Sequence, residues 1–250
     1  MTGVLPVALE NATKLMPALA HLEKEYVGVM HLHKDVDEDL LKKVIAEKFV
    51  GKIMQIPPVR SAVSRRPRIR EIKFFDVLEK DGKDVLFHVA CEAGTYIRKL
   101  IHDIGQALGV GAHMTELRRI RAGCFKEEDS HPLVEIRDAY EFWKEGDEKM
   151  LRKILIPVEY AIPHVKKVFV KDTAVDSICH GAPVFVTGIT RIQKGIERGE
   201  LVAIYTLKEE LVALGIAKMS SEEMFKRKKG VAVRTDRVFM ERGTYPRLKR

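Results

Sequence analysis

Alternation of apolar and polar residues predicts three strands in the first hundred residues. Residues 25–34 alternate in this way, as a strand with two distinct faces does. Residues 72–78 and 84–91 repeat the pattern, and the intervening Lys80-Asp81-Gly82-Lys83 contains an Asp-Gly pair typical of hairpin turns. Residues 53–70 contain three prolines, which exclude regular structure, so we predict an irregular loop there.

Helical spacing of apolar residues predicts two amphipathic helices in the same part of the chain. The first spans residues 35–50, ends at Gly51, and has an apolar side formed by Leu40, Leu41, Val44, Ile45 and Phe49. The second follows Gly94, which breaks the preceding strand, and Thr95 is a suitable N-cap for it. Its apolar face consists of Ile97, Leu100, Ile101, Ile104 and Leu108.

The pattern changes after residue 126. Residues 126–160 are acidic and show helical spacing at Leu133, Ile136, Tyr140 and Trp143, and we expect a surface helical segment packed against the preceding domain. From His164 onward, short strands separated by turn residues predict a small β-barrel. The chain is therefore predicted to be α+β, with one domain at residues 1–163 and a second at residues 164–250.

Composition restricts the class of protein. The chain has 250 residues, of which 46% are hydrophobic and 32% charged, as in ordinary globular proteins. It has no apolar run of about 18 residues, the length that a membrane helix needs, and no signal-peptide pattern at its start. The three cysteines, Cys91, Cys124 and Cys179, form no CxxC pair, which argues against a zinc site and fits a reducing, cytosolic setting.

Basic residues are in excess and concentrated in two stretches. The net charge is +8, which fits either a polyanionic partner or simply a basic protein. Residues 60–70 contain five arginines, Arg60, Arg65, Arg66, Arg68 and Arg70, which repel one another unless a polyanion or solvent screens them. Residues 115–122 add three more, Arg118, Arg119 and Arg121, available either to RNA phosphates or to local acids.

Arg98 occupies an unusual position in the first turn of the second predicted helix. The positive end of the helix dipole lies there and disfavours a cation. Arg98 is therefore favoured only if an anion, either a carboxylate or a phosphate, lies opposite it. The alternative is an ordinary arginine exposed to solvent.

Five segments occur in the order that characterises one enzyme family: TGVLPVALENATK, EKEYVGVMHL, MQIPPVRSAV, EAGTYIRKLIHDIG and ELRRIRAG. The chain resembles the pseudouridine synthases that modify the tRNA T-loop, and most closely the dyskerin branch, which supplies the catalytic subunit of archaeal and eukaryotic H/ACA ribonucleoproteins. The part after His164, with HGAPVF and GELVAIYTLKEELVALG, resembles a PUA domain. The resemblance covers nearly the whole chain and implies a pseudouridine synthase catalytic fold, a mixed sheet with flanking helices, followed by a small PUA barrel. The compact spacing and basic composition fit an archaeon.

The resemblance implies roles for individual residues. Tyr26 would stack on the target base, Arg98 would pair with the catalytic carboxylate, and Leu117 would line the same pocket. RNA contacts are expected at Arg60, Arg65, Arg66, Arg68, Arg118, Arg119, Lys226, Arg227 and Lys228. In this family a uridine is flipped out, an Asp attacks it, the glycosidic bond breaks and the base rejoins through carbon, with no metal or organic cofactor.

The resemblance also implies partners and a location. We expect an H/ACA guide RNA and its target RNA, with the ACA end of the guide held by the PUA surface. Two small proteins would bind the catalytic domain, and a kink-turn-binding protein would bind the guide RNA. No membrane is involved, and the expected location is the cytoplasm of an archaeal cell.

The chain departs from the family pattern at its start. The family's Asp lies in a GGTLDPKVTG-like motif immediately before TGVLP, whereas here Met1 precedes Thr2-Gly3. Because covalent catalysis needs its nucleophile, we expect an upstream part to be missing and the chain alone to be inactive. Two alternatives to a guided synthase stay open: a non-enzymatic RNA-binding scaffold, and a stand-alone tRNA synthase that needs no guide.

Overall fold

The computed structural model describes residues 1–58 and 63–246 and divides into two compact units. The first unit consists of Met1–Val7 and Pro17–Ile154. The second consists of Ala8–Met16 and the described residues from Leu155 onward. Within this second unit, the ammonium group of Lys14 donates a hydrogen bond to the carbonyl oxygen of Val238 at 2.8 Å. The domain boundary after residue 163 stays a prediction.

The first unit is built on a seven-stranded mixed sheet. Its strands are β1 (Thr2–Gly3), β2 (Lys24–Leu32), β3 (Gly51–Gln55), β4 (Arg68–Asp81), β5 (Asp84–Cys91), β6 (Ala112–Ala122) and β7 (Phe125–Lys126). They are ordered β1–β6–β2–β5–β4–β3, with β7 also paired to β6. The β1–β6 pair is parallel and the other pairs are antiparallel, so the strand predicted at residues 25–34 and the predicted hairpin are confirmed.

The loop predicted at residues 53–70 is shorter than expected. Both of its ends belong to strands, and Gln55 of β3 pairs with Arg68 of β4. A proline has no N–H for a ladder, but the three prolines, Pro57, Pro58 and Pro67, all lie between the paired ends. The prediction of irregular structure is therefore wrong at both ends of this stretch. Residues 59–62, including Arg60, lie outside the described residues.

The α-helices in the described part of the chain are α1 (Met16–Ala20), α2 (Glu38–Lys48), α3 (Ile97–Ala107), α4 (Leu133–Lys144), α5 (Lys149–Ile154), α6 (Asp172–Cys179) and α7 (Ser221–Lys226). The side chain of Asp37 caps α2 by accepting a hydrogen bond from the amide of Leu40. Helix α3 packs on the sheet through buried residues of its predicted apolar face, Ile97, Leu100, Ile101 and Ile104. Within the described parts of the chain, none of the helices combines the length and apolar character needed to cross a membrane.

Helix α4 does not bury the face that its sequence predicts. Leu133 is 84% exposed, and Tyr140 and Trp143, 48% and 46% exposed, stack on each other. Among the described residues of this helix, Ala139 is the one that is buried. Ala139 lies about 100° around the helix from Tyr140, so the packed face is rotated away from the aromatic residues. The expected surface helix is present, but its apolar stripe is exposed and is not the side that it buries.

The second unit contains a six-stranded sheet. Its strands are β8 (Lys166–Val170), β9 (Val184–Phe185), β10 (Ile189–Ile192), β11 (Leu201–Tyr205), β12 (Leu211–Ala217) and β13 (Val231–Val238), in the order β10–β8–β11–β12–β13–β9. The pairing of β8 with β11 is parallel and the rest is antiparallel. Helix α7 begins with a capping box, in which Ser220 accepts from the amide of Glu223 and Glu223 accepts from the amide of Ser220.

Candidate active site and RNA contacts

Tyr26 and Leu117 lie on one face of two neighbouring strands. In the antiparallel β2–β6 pair, Tyr26 is opposite Arg119 and Gly28 is opposite Leu117. Opposite residues of such a pair project to the same side of the sheet, and so do residues two apart along a strand. Leu117 is buried, and the half-buried Tyr26 packs against the same hydrophobic cluster. The structure therefore brings these two predicted site residues together.

Gly28 makes the close packing beside this pair feasible. A Cβ atom at Gly28 would lie 2.7 Å from the carbonyl oxygen of Glu116, 2.7 Å from the Cζ atom of Phe87 and 3.0 Å from a methyl carbon of Leu117. Side chains do not tolerate such distances, so glycine lets Phe87 and Leu117 close over this position. The position of the Leu117 side chain is thus fixed by its packing at Gly28.

Arg119 is hydrogen-bonded inside the protein. Its half-buried guanidinium donates from Nε to the carbonyl oxygen of Val4 at 2.7 Å. Burial raises the pKa of the Tyr26 hydroxyl, and the positive charge of Arg119 opposes that rise. Arg119, predicted from sequence as an RNA contact, therefore lies between its cross-strand neighbour Tyr26 and the start of the chain.

The turn that leads into α3 is closed by local hydrogen bonds. Gly94 has a φ of +77°, which a residue with a side chain rarely adopts. The hydroxyl of Thr95 donates to the carbonyl oxygen of Glu92 at 2.7 Å, and the N-cap of α3 is Tyr96. The prediction that Thr95 caps the helix is wrong, because its hydroxyl is used by the turn.

Gln55 holds the N-terminus of α3 from the neighbouring strand β3. Its side chain is 2% exposed. The amide nitrogen Nε2 donates to the carbonyl oxygen of Tyr96 at 3.3 Å, and the backbone amide of Tyr96 donates to Oε1 at 3.0 Å. This two-way contact fixes the residue that lies two positions before Arg98. Sequence reasoning missed this contact; the signal available was a polar residue two positions before the Pro57-Pro58 pair.

Arg98 itself is exposed in the first turn of α3, and Ile97 beside it is buried. Among the residues that the structure describes, Arg98 forms no hydrogen bond or ion pair. Both interpretations of the sequence stay open, a solvent-exposed arginine or a cation that faces an anion from elsewhere. The backbone that carries this guanidinium is nevertheless fixed by the Gln55 contact and by the packing of Ile97.

Two other arginines of β6, Arg118 and Arg121, are paired with carboxylates. Arg118 is exposed, and its Nε lies 2.7 Å from a carboxylate oxygen of Glu127. Arg121 donates two hydrogen bonds, from Nε and Nη2, to one carboxylate oxygen of Glu25 at 2.8 and 2.6 Å. Of the two sequence-based alternatives, pairing with local acids is thus observed for both residues.

The other predicted RNA contacts occupy two surfaces. Arg65 and Arg66 are exposed, Arg68 is half-buried, and Arg65 donates to the carbonyl oxygen of Pro57 at 3.4 Å. In the second unit three exposed basic residues follow or end α7, namely Lys226, Arg227 and Lys228. Arg227 also lies 3.5 Å from a carboxylate oxygen of Glu223. Each unit therefore presents exposed basic groups of its own.

Cys91 lies at the end of β5, near Tyr26. It is buried, as the sequence predicts, and burial raises the pKa of its thiol to about 11. The thiol is therefore protonated near neutral pH and unsuited to nucleophilic attack. Within residues 1–58 and 63–246, no three His, Cys, Asp or Glu side chains are arranged to hold a metal ion.

Comparison with known proteins agrees with this architecture throughout. Residues 1–97 match the N-terminal domain of TruB family pseudouridylate synthases, and residues 98–163 match the C-terminal domain of tRNA pseudouridylate synthase B. Residues 166–239 match the PUA domain. The chain belongs to the TruB family of pseudouridylate synthases. The predicted family and the predicted α+β fold, a synthase catalytic fold followed by a PUA domain, are confirmed.

Individual relatives match almost the whole chain. A probable tRNA pseudouridine synthase B of Methanocaldococcus jannaschii is 56% identical over 99% of this chain and 74% of its own length. The structure of a Cbf5–Nop10–Gar1 complex matches with a TM-score of 0.91 and 56% identity, covering 98% of this chain and 75% of that one. A chain in an H/ACA RNP bound to a substrate RNA containing 2'-deoxyuridine matches with a TM-score of 0.90 and 53% identity, over 99% and 75%.

Proposed function

We propose that this chain belongs to the catalytic subunit of an H/ACA guide RNA–protein complex that isomerises uridine to pseudouridine in ribosomal RNA. Transfer RNA is a second substrate class to be tested. The observation that carries the proposal is the match, over 99% of the chain, to a subunit of an H/ACA RNP with substrate RNA bound. The paired positions of Tyr26 and Leu117 and the fixed start of α3 support it.

Three residues form the pocket for the target base. The ring of Tyr26 stacks on the uracil, a contact worth about 1–3 kcal/mol for a base on an aromatic side chain. Leu117, buried and braced at Gly28, forms the wall beside it. The exposed guanidinium of Arg98 pairs with the nucleophilic carboxylate, because its planar fork matches a carboxylate and stabilises the charged form.

The reaction is an isomerisation that consumes no co-reactant. The Asp of the family's motif attacks a flipped-out uridine, and the bond between the sugar and the base nitrogen breaks. A bond from the sugar to a base carbon then forms and the bond to the Asp breaks, which frees the carboxylate. That carbon loses its proton, and the released nitrogen gains one. Flipping is easier for a base that a guide RNA already holds unpaired, because less pairing energy is lost.

The nucleophile belongs to a segment that precedes Thr2-Gly3 in the family's motif. Our proposal is that the 250-residue chain by itself does not make pseudouridine and that a polypeptide with that segment does. The sheet supports this proposal. Thr2 pairs with Arg118 and Gly3 with Arg119 in a parallel ladder, and Arg119 is opposite Tyr26. A segment that leads into Thr2 therefore joins the sheet close to Tyr26.

Partners are proposed from the solved complexes of similar chains. Those complexes contain Nop10, or Nop10 with Gar1, so two small proteins are assigned to the catalytic unit of this chain. A kink-turn-binding protein joins through the guide RNA, whose ACA end lies on the PUA domain. The proposal places this assembly in the cytoplasm of an archaeal cell.

The test compares two polypeptides: the chain as it is, and the same chain preceded by a segment with the GGTLDPKVTG-like motif. Each is assayed for uridine conversion in a guided substrate and in an unguided tRNA T-loop. Guided conversion by the longer polypeptide alone supports the proposal. No product from either polypeptide, with RNA binding intact, would leave a non-enzymatic RNA scaffold. Conversion of the T-loop without a guide would identify a stand-alone tRNA enzyme.

A further inference from the structure

Arg119 lies where three strands meet. It belongs to β6, which has β2 on one side and β1 on the other. Its neighbour across β2 is Tyr26, and its neighbour across β1 is Gly3. A side chain at this place is within reach of both the stacking tyrosine and the first residues of the chain.

From this position both the side chain and the backbone of Arg119 form hydrogen bonds with Val4. The guanidinium donates from Nε at 2.7 Å to the carbonyl oxygen of Val4. Its cross-strand neighbour is Tyr26, and its positive charge opposes the rise that burial causes in the pKa of the Tyr26 hydroxyl. The backbone carbonyl of Arg119 accepts from the amide of Val4 at 2.8 Å. Because the N–H groups of a guanidinium lie in one rigid plane, the bond to Val4 also fixes the direction of the remaining N–H groups.

The backbone of Gly3 lies very close to Arg119. Gly3 has a φ of +99°, and a Cβ atom there would lie 2.1 Å from the carbonyl oxygen of Arg119. No side chain fits this position, so the path of Gly3 and Val4 past Arg119 is fixed by sterics. The acceptor at Val4 is therefore a stationary anchor for the guanidinium.

Arg119 differs from its neighbours in the kind of partner it has. Arg118 and Arg121 face carboxylates, those of Glu127 and Glu25. Within the described part of the chain, Arg119 forms no ion pair; its Nε donates to a carbonyl oxygen, and its cross-strand neighbour carries a hydroxyl. A half-buried cation that faces neutral oxygens is poorly explained as a stabilising ion pair, but it is well suited to orienting a hydroxyl group.

We propose that Arg119 is a positioning residue that holds the ring of Tyr26 at the angle needed to stack on the target base, rather than a contact to RNA phosphate. This inference rests on the proposed function only in giving Tyr26 the stacking role. The Arg119–Tyr26 link itself is testable without any RNA. It replaces the sequence-based expectation that Arg118 and Arg119 act alike on the RNA.

The first experiment uses the 250-residue chain labelled with ¹³C at the Cζ atom of tyrosine. The Tyr26 signal is assigned by its loss in Tyr26→Phe, and its alkaline titration is followed by NMR. Because Arg119 opposes the burial-driven rise of the Tyr26 pKa, we expect Arg119→Met to move that titration further upward. The control Arg118→Met, at an exposed neighbour, leaves it in place. An unchanged titration in Arg119→Met overturns the proposed link.

The second experiment separates positioning from phosphate contact. Affinity for guide and substrate RNA is measured against salt concentration in the same variants. A lost phosphate contact lowers the slope of log affinity against log salt by about 0.7–0.9. We expect an unchanged slope for Arg119→Met, and a slope reduced by that amount assigns Arg119 to the RNA.

The third experiment is a double-mutant cycle in the polypeptide that carries the upstream segment. Tyr26→Phe keeps the ring and removes the hydroxyl, so it breaks the same contact while leaving Arg119 on Val4. We expect each single variant to lower the guided conversion rate at saturating RNA by about tenfold, and Arg119→Met to cause no further loss when Phe occupies position 26. Additive losses overturn the proposal. If the unmodified polypeptide converts no uridine, the proposed function fails, while the titration still decides the link.

Discussion

The side-chain amide of Gln55 is paired in both directions with the backbone of Tyr96, 41 residues further along the chain. Gln55 ends β3 and leads into the arginine-containing loop, while Tyr96 is the N-cap of the helix that carries Arg98. One buried contact thus joins the segment expected to meet RNA to the helix turn expected to meet the nucleophile. The contribution of this contact to stability and the contribution of Arg98 to turnover can be measured separately.

We expect Gln55→Met to destabilise the first unit by about 1–3 kcal/mol, because it removes the side-chain oxygen that accepts from the Tyr96 amide and the side-chain N–H that donates to the Tyr96 carbonyl oxygen. The measurement is denaturant unfolding of the 250-residue chain. The control is Lys52→Met, an exposed position of the same strand, for which we expect no more than about 0.5 kcal/mol. Equal stabilities of the Gln55 and Lys52 variants would mean that the pairing contributes nothing.

Arg98 is the residue whose replacement most directly tests the proposed chemistry. In the polypeptide with the upstream segment, Arg98→Ala should lower guided conversion by at least about 100-fold, the order lost with one donor to a developing charge. RNA affinity should stay near that of the parent. Lys99→Ala, which changes a neighbouring cation paired with Asp103, is the control and should convert normally. A collapse of affinity together with turnover would make Arg98 a phosphate contact.

The sequence predicts most elements of the fold because their patterns are local. The alternation in β2 and the helical spacing in α3 both depend on a single buried face. β6 had no such signal, since its sequence, AHMTELRRIRA, has few apolar residues for a central strand. It is a strand because β2 and β1 flank it, and because its arginines find acids or carbonyl groups nearby.

The parts of the site that sequence reasoning could not separate depend on contacts between distant residues. Adjacent arginines 118 and 119 look equivalent in the sequence, but strand alternation sends them to opposite faces, one exposed and one half-buried. The partner of Gln55 is a backbone group, which no side-chain pattern reveals. Helix α4 is the opposite case: the sequence has a regular apolar spacing, but among the described residues the apolar side chains of that spacing are exposed.

The arginines beside the loop provide a test of RNA contact at the surface. Replacing Arg65, Arg66 and Arg68 together by Gln should weaken RNA binding and lower its salt slope by about 2–3, since each lost phosphate contact contributes about 0.7–0.9. The matched control replaces Arg137 and Arg152, exposed arginines paired with Asp138 and Glu148, and should keep the slope. An unchanged slope in the triple variant would show that these arginines are merely solvated.

The capping box of α7 gives the second unit a pH dependence of known sign. Hydrogen bonds from Arg198 and from the Ser220 amide lower the pKa of Glu223 to about 2, below its ordinary value of 4.5. A carboxyl whose pKa is depressed on folding stabilises the fold above its unfolded pKa, and this contribution is lost as the pH falls through the folded value. We therefore expect Glu223→Gln to lower the thermal midpoint at pH 7, and the difference from the parent to shrink between about pH 4.5 and pH 2.

The control for that measurement is Glu222→Gln, an exposed acid in the same helical turn. Its charge also favours the helix N-terminus, so any general dipole effect appears in both variants. The contacts of Glu223 to Arg198 and to the Ser220 amide are specific, and their loss should appear in the Glu223 variant alone. A midpoint difference that persists undiminished to pH 2 would mean that the side chain of Glu223 acts through packing rather than through its charge.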